Sequence, residues 1–166
     1  IIPKLVAGLD QQGYSLDLAI IGDACDLLAS DARERQSGFQ EGSPLQEIPG
    51  AIPAASAGYQ YLLYPSGSAA RLALACTQSV YINLQLVQRD PTGIREYLFN
   101  RLSVQNKTRG EIDLADSPLI LSLEPRGDGV TQERQPDRSL LHPALVAPIP
   151  SPPPPGTPAP PTGTPT

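Results

Sequence analysis

The strongest constraint on the fold is a two-residue alternation along residues 79–88. Large aliphatic side chains occupy every second position, at Val80, Ile82, Leu84 and Leu86. The positions beside them carry polar or amphipathic side chains, namely Ser79, Tyr81, Asn83 and Gln85. A period of two is typical of a β-strand that packs one face on a core and leaves the other in solvent. The pattern therefore predicts a half-buried strand.

A turn follows this strand at Arg89–Gly93, where Pro91 fixes its own φ and Gly93 permits a positive one. The next apolar run, residues 94–104, is therefore expected to return antiparallel. Its spacing fits a helix as well as a strand, since Ile94, Leu98 and Leu102 recur at four-residue intervals. We favour a strand because the neighbouring segments are strands.

Further β-compatible segments complete a mainly β fold. They cover residues 14–20, 59–64, 71–76, 111–114 and 118–123. Six or seven short strands at this spacing predict a small antiparallel β-sandwich or partial barrel. The best core candidates are Val80, Ile82, Leu84, Leu86, Leu119 and Leu121.

Two segments do not follow the alternation. Residues 23–33 fit either one short helix capped by Asp23 or a strand followed by a loop. Residues 36–58 are rich in Gly, Pro, Ser and Ala and have no periodicity, so they are expected to form a long loop.

The prolines divide the chain. Eleven of the 20 lie between Pro143 and Thr166, in a stretch without a charged side chain. Consecutive prolines fix φ and lack amide donors, which favours an extended polyproline II tail. We therefore expect a β-rich globular domain over 1–125, a polar linker over 126–142 and a Pro-rich tail over 143–166.

Charge and hydropathy limit the partners. The net charge of −5 and the pI near 4.8 argue against a nucleic-acid surface, because phosphate binding depends on Lys and Arg. The apolar runs span a few residues, whereas a membrane helix requires about 20. We expect neither nucleic-acid binding nor membrane insertion.

The two cysteines, Cys25 and Cys76, are 51 positions apart. This spacing is not that of a CxxC redox motif, and two thiols are too few for an ordinary zinc site. They form either a disulfide or two buried thiols. The sequence starts at Ile1 without a Met, which a removed secretory signal or a partial record would explain. We expect an extracellular or cell-surface location.

Residues suited to catalysis are sparse. His142, the only histidine, precedes the Pro-rich tail, where general acid–base chemistry has no rigid setting. The carboxylate pairs Asp23–Asp26 and Asp113–Asp116 lack a calcium-loop pattern and suit caps and turns. We predict no enzyme, no catalytic residues, no metal site and no cofactor. An enzymatic alternative would need carboxylates brought together by the fold.

Three short patterns suggest surface contacts. Tyr59 and Tyr61 would project from one strand face, either as a ligand platform or as core packing. Asn106 begins an N-glycosylation sequon, Asn106-Lys107-Thr108. Arg126-Gly127-Asp128 matches an integrin-type tripeptide, although a solvated turn explains it equally well.

These observations favour a structural or assembly subunit of a filament, an envelope layer or a virion. Its partners are expected to be copies of itself or other surface proteins, because β edges accept extended segments. Candidate assembly segments are Ile1, Ile2 and Val6 at one end and Pro152, Pro153, Pro154 and Pro155 at the other. The alternative is a binding module for glycan or protein ligands, held on a Pro-rich stalk.

Overall fold

The computed structural model describes residues 15–90 and 92–143, and these residues form two antiparallel β-sheets packed face to face. This confirms the predicted β-sandwich; the sheets do not close into a barrel. The strands are β1 Leu16–Gly22, β2 Cys25–Ser30, β3 Gln36–Gln40, β4 Ser43–Gln46, β5 Ile52–Ser56, β6 Tyr59–Pro65, β7 Arg71–Cys76, β8 Val80–Asp90, β9 Gly93–Val104, β10 Arg109–Asp113, β11 Leu121–Glu124, β12 Gln132–Arg134 and β13 Arg138–Pro143.

Neighbours in the sheets are often distant in sequence. Within the described residues, sheet A has the order β13-β9-β8-β1-β6-β5, and sheet B has the order β12-β11-β10-β7-β2-β3-β4. β1 and β2 are consecutive but lie in different sheets. β1 pairs with β6 and β8, whereas β2 pairs with β3 and β7. The two sheets are thereby linked from the first turn of the described chain.

The core lies between the inward faces of the sheets. Sheet A contributes alternate residues, such as Ala19 and Ile21 on β1, and sheet B contributes Leu27, Leu72 and Leu74. Burying these side chains supplies the main driving force for packing, at about 25 cal/mol for each Å² of apolar surface removed from water. The core therefore follows directly from the alternation of apolar residues in both sheets.

A β-bulge keeps β9 in register with the core. Leu84 pairs with Phe99, while Ile82 pairs with Leu102, so β9 has one more residue than β8 between these pairs. Arg101 adopts a positive φ of 49° at the bulge, and its amide donates to Asn83 Oδ1 over 2.8 Å. Both Phe99 and Leu102 face the core as a result. The strand prediction for residues 94–104 is confirmed.

Of the two alternatives for residues 23–33, the strand followed by a loop is confirmed: residues 25–30 form β2, and no helix occurs in the part of the chain that the structure describes. Two other predictions differ from the structure. The predicted loop over 36–58 contains β3, β4 and β5. The predicted linker over 126–142 contains the edge strands β12 and β13, which take their backbone partners from β11 and β9. β4, β5, β12 and β13 are edge strands and bury few side chains, so they show little alternation; β3 lies inside sheet B and buries three consecutive residues.

The core prediction is wrong at one position. Ile82, Leu84, Leu86, Leu119 and Leu121 are buried, but Val80 is 44% exposed. The reason is that β1 pairs with β8 only along Leu84–Val87, so the first residues of β8 extend beyond this neighbour. Ile1, Ile2, Val6 and Pro152–Pro155 lie outside the described residues.

Candidate binding surfaces

A cavity of about 890 Å³ lies on the outer face of sheet B. Its floor is made of the outward side chains of β2 and β7, among them Leu28, Ala73 and Ala75. Alternation produces this floor, because Leu27, Leu72 and Leu74 on the same strands point into the core. Alanine at two floor positions leaves room above the sheet, which creates a shallow, open groove.

The walls of this groove are mostly polar. Its acidic side chains are Asp26, Glu41, Glu111 and Glu124, and its basic side chain is Arg109. Asp26 is held in place by two bonds, from Gln60 Nε2 over 2.9 Å and from the Gly42 amide over 3.0 Å. Groups of this kind hydrogen-bond hydroxyl or amide groups of a ligand.

Gln60 also explains why β2 ends its pairing with β3 where it does. Its Oε1 accepts from the Leu27 amide over 3.0 Å, just beyond the Leu28–Gly38 pair that ends the ladder. At Gly38, φ is 140° and an added Cβ would lie 2.1 Å from the Leu27 carbonyl oxygen. Only glycine fits this close approach of β3 to β2, and the side chain of Gln60 satisfies the amide left open.

A second cavity of about 410 Å³ adjoins the first and shares Ala75, Arg109 and Glu124 with it. Asn106 and Gly127 line the far side, so the sequon and the Arg126–Asp128 turn lie close together. Asn106 is exposed. Its accessibility agrees with the predicted glycosylation site, which stays a prediction.

The outer face of sheet A has the opposite character. We use this name for the outward side chains of β1, β5, β6, β8 and β9, which include Leu16, Leu18, Ile20, Ile52, Tyr59, Tyr61, Leu63, Gln85, Val87, Ile94, Glu96 and Leu98. The rings of Tyr59 and Tyr61 lie on this face with centroids 6.5 Å apart and planes tilted by 51°. Their common face was predicted from the sequence; a role as ligand platform stays a prediction.

One carboxylate is buried inside the sandwich. Asp17 is 4% exposed, and its Oδ1 accepts from Ser66 Oγ and from the Arg89 amide, each over 2.8 Å. Burial raises the pKa of Asp17, and these hydrogen bonds offset the rise only in part. Burial likewise raises the pKa of its strand partner Tyr64, with a further contribution from the charge of Asp17. Asp17 lies in sheet A and does not line either cavity described above.

A second buried carboxylate has the opposite titration behaviour. Asp31 closes the turn between β2 and β3, where it accepts bonds from the Arg35 side chain and from the amides of Arg33 and Arg35. The Arg35 guanidinium lies 2.7 Å from Asp31 Oδ2. Burial alone would raise the pKa of Asp31, but these bonds and the charge of Arg35 lower it overall. Asp31 therefore has a structural role as a turn carboxylate.

Cys25 and Cys76 form a disulfide with an S–S distance of 2.00 Å. They are direct partners in the β2–β7 ladder, so the bond joins the two central strands of sheet B. The sequence allowed either a disulfide or two free thiols, and the structure shows the disulfide. Cys76 also lines the larger cavity, which places the covalent link beneath the groove.

The remaining candidate residues lie apart from one another in the described structure. His142 Nε2 lies 3.3 Å from Glu96 Oε2 on β9, away from sheet B. Asp113 Oδ1 accepts from the Ala115 amide, as expected for a turn. Within residues 15–90 and 92–143, no three His, Cys, Asp or Glu side chains are grouped to hold a metal ion. In the same residues, no helix is long and apolar enough to cross a bilayer.

The groove on sheet B was not found from the sequence. Ala73 and Ala75 alternate with leucines in Arg71–Cys76, and small outward residues give no distinctive signal. Arg109, Glu111 and Glu124 reach the groove because β10 and β11 pair beside β7. This surface depends on which strands are neighbours in the sheet, and no local sequence pattern predicts that order.

Comparisons of the chain with protein-family models, curated proteins and solved structures found no match.

Proposed function

We propose that the chain is a structural or assembly subunit of an extracellular or surface object, joined through the edge of sheet A. The observation that carries the proposal is edge strand β5, which has no charged residue. Ala54, Ala55 and Ser56 are exposed, and Ile52 is 51% exposed at the start of the strand. An exposed, uncharged edge offers unpaired amides and carbonyls to an added strand.

The surroundings of β5 support this proposal. Tyr59 is 47% exposed and opposes Ser56 on the neighbouring strand, so apolar surface continues from the edge onto the outer face of sheet A. The opposite edge of sheet A, β13, carries a charge at Arg138, and the edge strand β12 of sheet B carries charges at Glu133 and Arg134. Charged edges resist strand addition. The contrast favours β5, which lies beside the likewise uncharged edge β4, as the joint.

The disulfide supports an oxidising location, since structural disulfides persist mainly in secreted and surface proteins. The predicted Pro-rich tail remains an additional candidate for contacts with partners. Filaments, envelope layers and virions all require subunits that repeat such contacts.

Light scattering on a sizing column, with electron microscopy of early fractions, tests the proposal. The wild-type chain is expected to elute as an oligomer, and Ala54→Lys is expected to yield monomers because a lysine on the edge opposes strand addition. Gln132→Lys adds the same charge to the exposed edge β12 and should leave the oligomer unchanged. A monomeric wild-type chain would contradict the proposal.

The groove on sheet B favours a second candidate, a binding module for glycan or protein ligands. Its volume of about 890 Å³ falls in the range of ligand sites, and its carboxylates suit the hydroxyl groups of a sugar. Oligosaccharide screening with wild type and Ala75→Tyr tests this role. Binding that the tyrosine abolishes supports it; absence of binding in both proteins excludes the glycans tested.

A further inference from the structure

The outer face of sheet A contains a second apolar cluster, separate from the core. Its members are Leu18, Ile20, Val87 and Ile94, which are 3%, 8%, 0% and 7% exposed. Tyr61 and Leu63 pack against it. In a two-layer sandwich the outward residues normally face water and are polar. Exposures this low indicate that sheet A is covered on both sides.

The cluster lies on the side away from sheet B. Ala19 and Ile21 on β1 belong to the core, so Leu18 and Ile20 between them point outward. The contacts between sheets recorded for the described strands join β1, β5 and β6 to β2, β3 and β4 across the core. Within residues 15–90 and 92–143, the main strand contacts of β1 and β8 are with their neighbours in sheet A and, for β1, with β2 across the core; none of them is with a strand on the outward side.

We propose that the outer face of sheet A is the docking surface for the amino-terminal segment of the same chain, residues 1–14, which forms a third layer. This segment is apolar at Ile1, Ile2, Leu5, Val6 and Leu9 and is charged only at Lys4 and Asp10. It matches an apolar surface in chemistry, and burial of its side chains against this face would account for the low exposure of Val87 and Leu18.

The position where the segment joins the fold favours this occupant. The segment joins the fold just before β1, which begins at Leu16, and Leu16 is two positions before the cluster member Leu18. The segment therefore starts beside the cluster. Fourteen residues reach roughly 45–50 Å when extended. The distance from β1 across β8 to β9 is about 10 Å at the usual strand spacing. The segment is thus long enough to cross the cluster, and its attachment beside it gives a high effective concentration.

The carboxyl-terminal residues fit the surface less well. They follow Pro143, which pairs with Gly93 next to the cluster member Ile94, so they also begin beside the cluster, and the difference lies in their composition. Their large aliphatic residues are Leu145, Val146 and Ile149, and prolines dominate the remainder. A segment from a second copy would match the surface chemically but would lack the advantage of attachment.

Tryptophan fluorescence tests which segment docks, because the chain has no native Trp. In the full chain, Val6→Trp is expected to emit at shorter wavelength than the matched variant Val146→Trp, since the former side chain is buried. Leu9→Trp is the second probe if substitution at Val6 prevents folding. Adding Tyr61→Glu beside the cluster should shift the emission of Val6→Trp to the red. Solvent-exposed emission from both amino-terminal probes, or blue emission from Val146→Trp alone, would overturn the proposal.

Cross-linking in a mixture of nitrogen-15-labelled and unlabelled full-length chains decides whether the segment is the chain's own. A carbodiimide joins Lys4 to nearby carboxylates such as Glu96 on the outer face of sheet A. Links between peptides with the same label are expected. Links in which labels mix at random would show exchange between copies and overturn the proposal. The side chain of Ala55 on the same edge strand points to the other face of sheet A, so Ala55→Lys should remove assembly without touching the outer face, and failure of either proposal is recognised separately.

Discussion

The outer faces of the two sheets differ although both arise from the same alternation. Outward positions of β1 carry Leu16, Leu18 and Ile20, and the central part of that face is buried. The equivalent positions of β2 are Asp26, Leu28 and Ser30, which are half-buried around an open groove. The inward residues of both strands pack in one core. The character of each surface therefore depends on the outward half of each strand.

The same two sheets are stabilised by different means. Sheet B has a covalent link between its central strands, Cys25–Cys76. Sheet A has no cysteine in its described strands and instead has apolar packing on both sides of β1 and β8. Removing the disulfide, or truncating the outer apolar side chains of sheet A, tests whether each sheet depends on its own feature.

The largest effect is expected from the disulfide. The double variant Cys25→Ala with Cys76→Ala should lower the free energy of unfolding by about 4 kcal/mol, because the bond closes a loop of this length in the unfolded chain. Urea denaturation of the variant and the wild type measures the difference. A loss below about 1 kcal/mol would mean that packing, rather than the covalent link, maintains sheet B.

Matched leucine substitutions compare the outer faces directly. Leu18→Ala, at 3% exposure, should cost about 3 kcal/mol because it leaves a cavity in a covered surface. Leu28→Ala, at the half-buried floor of the groove, should cost about 1 kcal/mol. Equal losses in thermal or urea unfolding would remove the proposed difference in coverage.

Two carboxylates, one in each sheet, should respond oppositely to pH. The pKa of Asp17 is raised, so its contribution to stability is full below its unfolded value of 3.8 and falls as pH rises through the folded pKa. The pKa of Asp31 is lowered, so its contribution is present above 3.8 and is lost as pH falls through the folded pKa. The free energy of unfolding, measured from pH 2 to 8, should therefore show less of a fall with pH in Asp17→Asn and less of a rise with pH in Asp31→Asn than in the wild type. Unchanged slopes in both variants would contradict these assignments.

The smallest effect is expected at an exposed ion pair on sheet B. Arg71 lies 3.0 Å from Glu34 and 3.8 Å from Glu111, with its side chain 43% exposed. Arg71→Gln should cost less than about 1 kcal/mol, and the difference should disappear at high salt. A larger, salt-independent loss would show that the polar face of sheet B contributes to stability as much as the apolar face of sheet A.

The sequence predicted those parts of the fold whose burial follows a local pattern. The strand at Val80–Gln88 and its return after Gly93 were predicted because one face of each meets the core. β5 was missed because Ile52 and Ala54–Ser56 are exposed, and β12 was missed because Gln132 and Glu133 are exposed. Their strand structure depends on backbone partners supplied by β6 and β11.

The candidate surfaces were less predictable. Tyr59 and Tyr61 were placed on one face correctly, because that requires only alternation. The groove around Ala73 requires β10 beside β7, and the cluster around Val87 requires β1 beside β8. Each pairing joins residues far apart in the chain, so no local motif marks these surfaces.

The strand order also has a consequence for synthesis of the chain. β1 is synthesised early, but its partners β6 and β8 follow much later. The ladder of β2 is likewise complete only after β7 is synthesised, which places Cys76 opposite Cys25. β9 then receives its last partner when β13 is complete. During vectorial synthesis, the apolar faces of β1 and β2 would remain uncovered until roughly half the described chain has appeared. Such non-local pairing favours slow folding and gives holdase chaperones a period in which to protect the nascent chain.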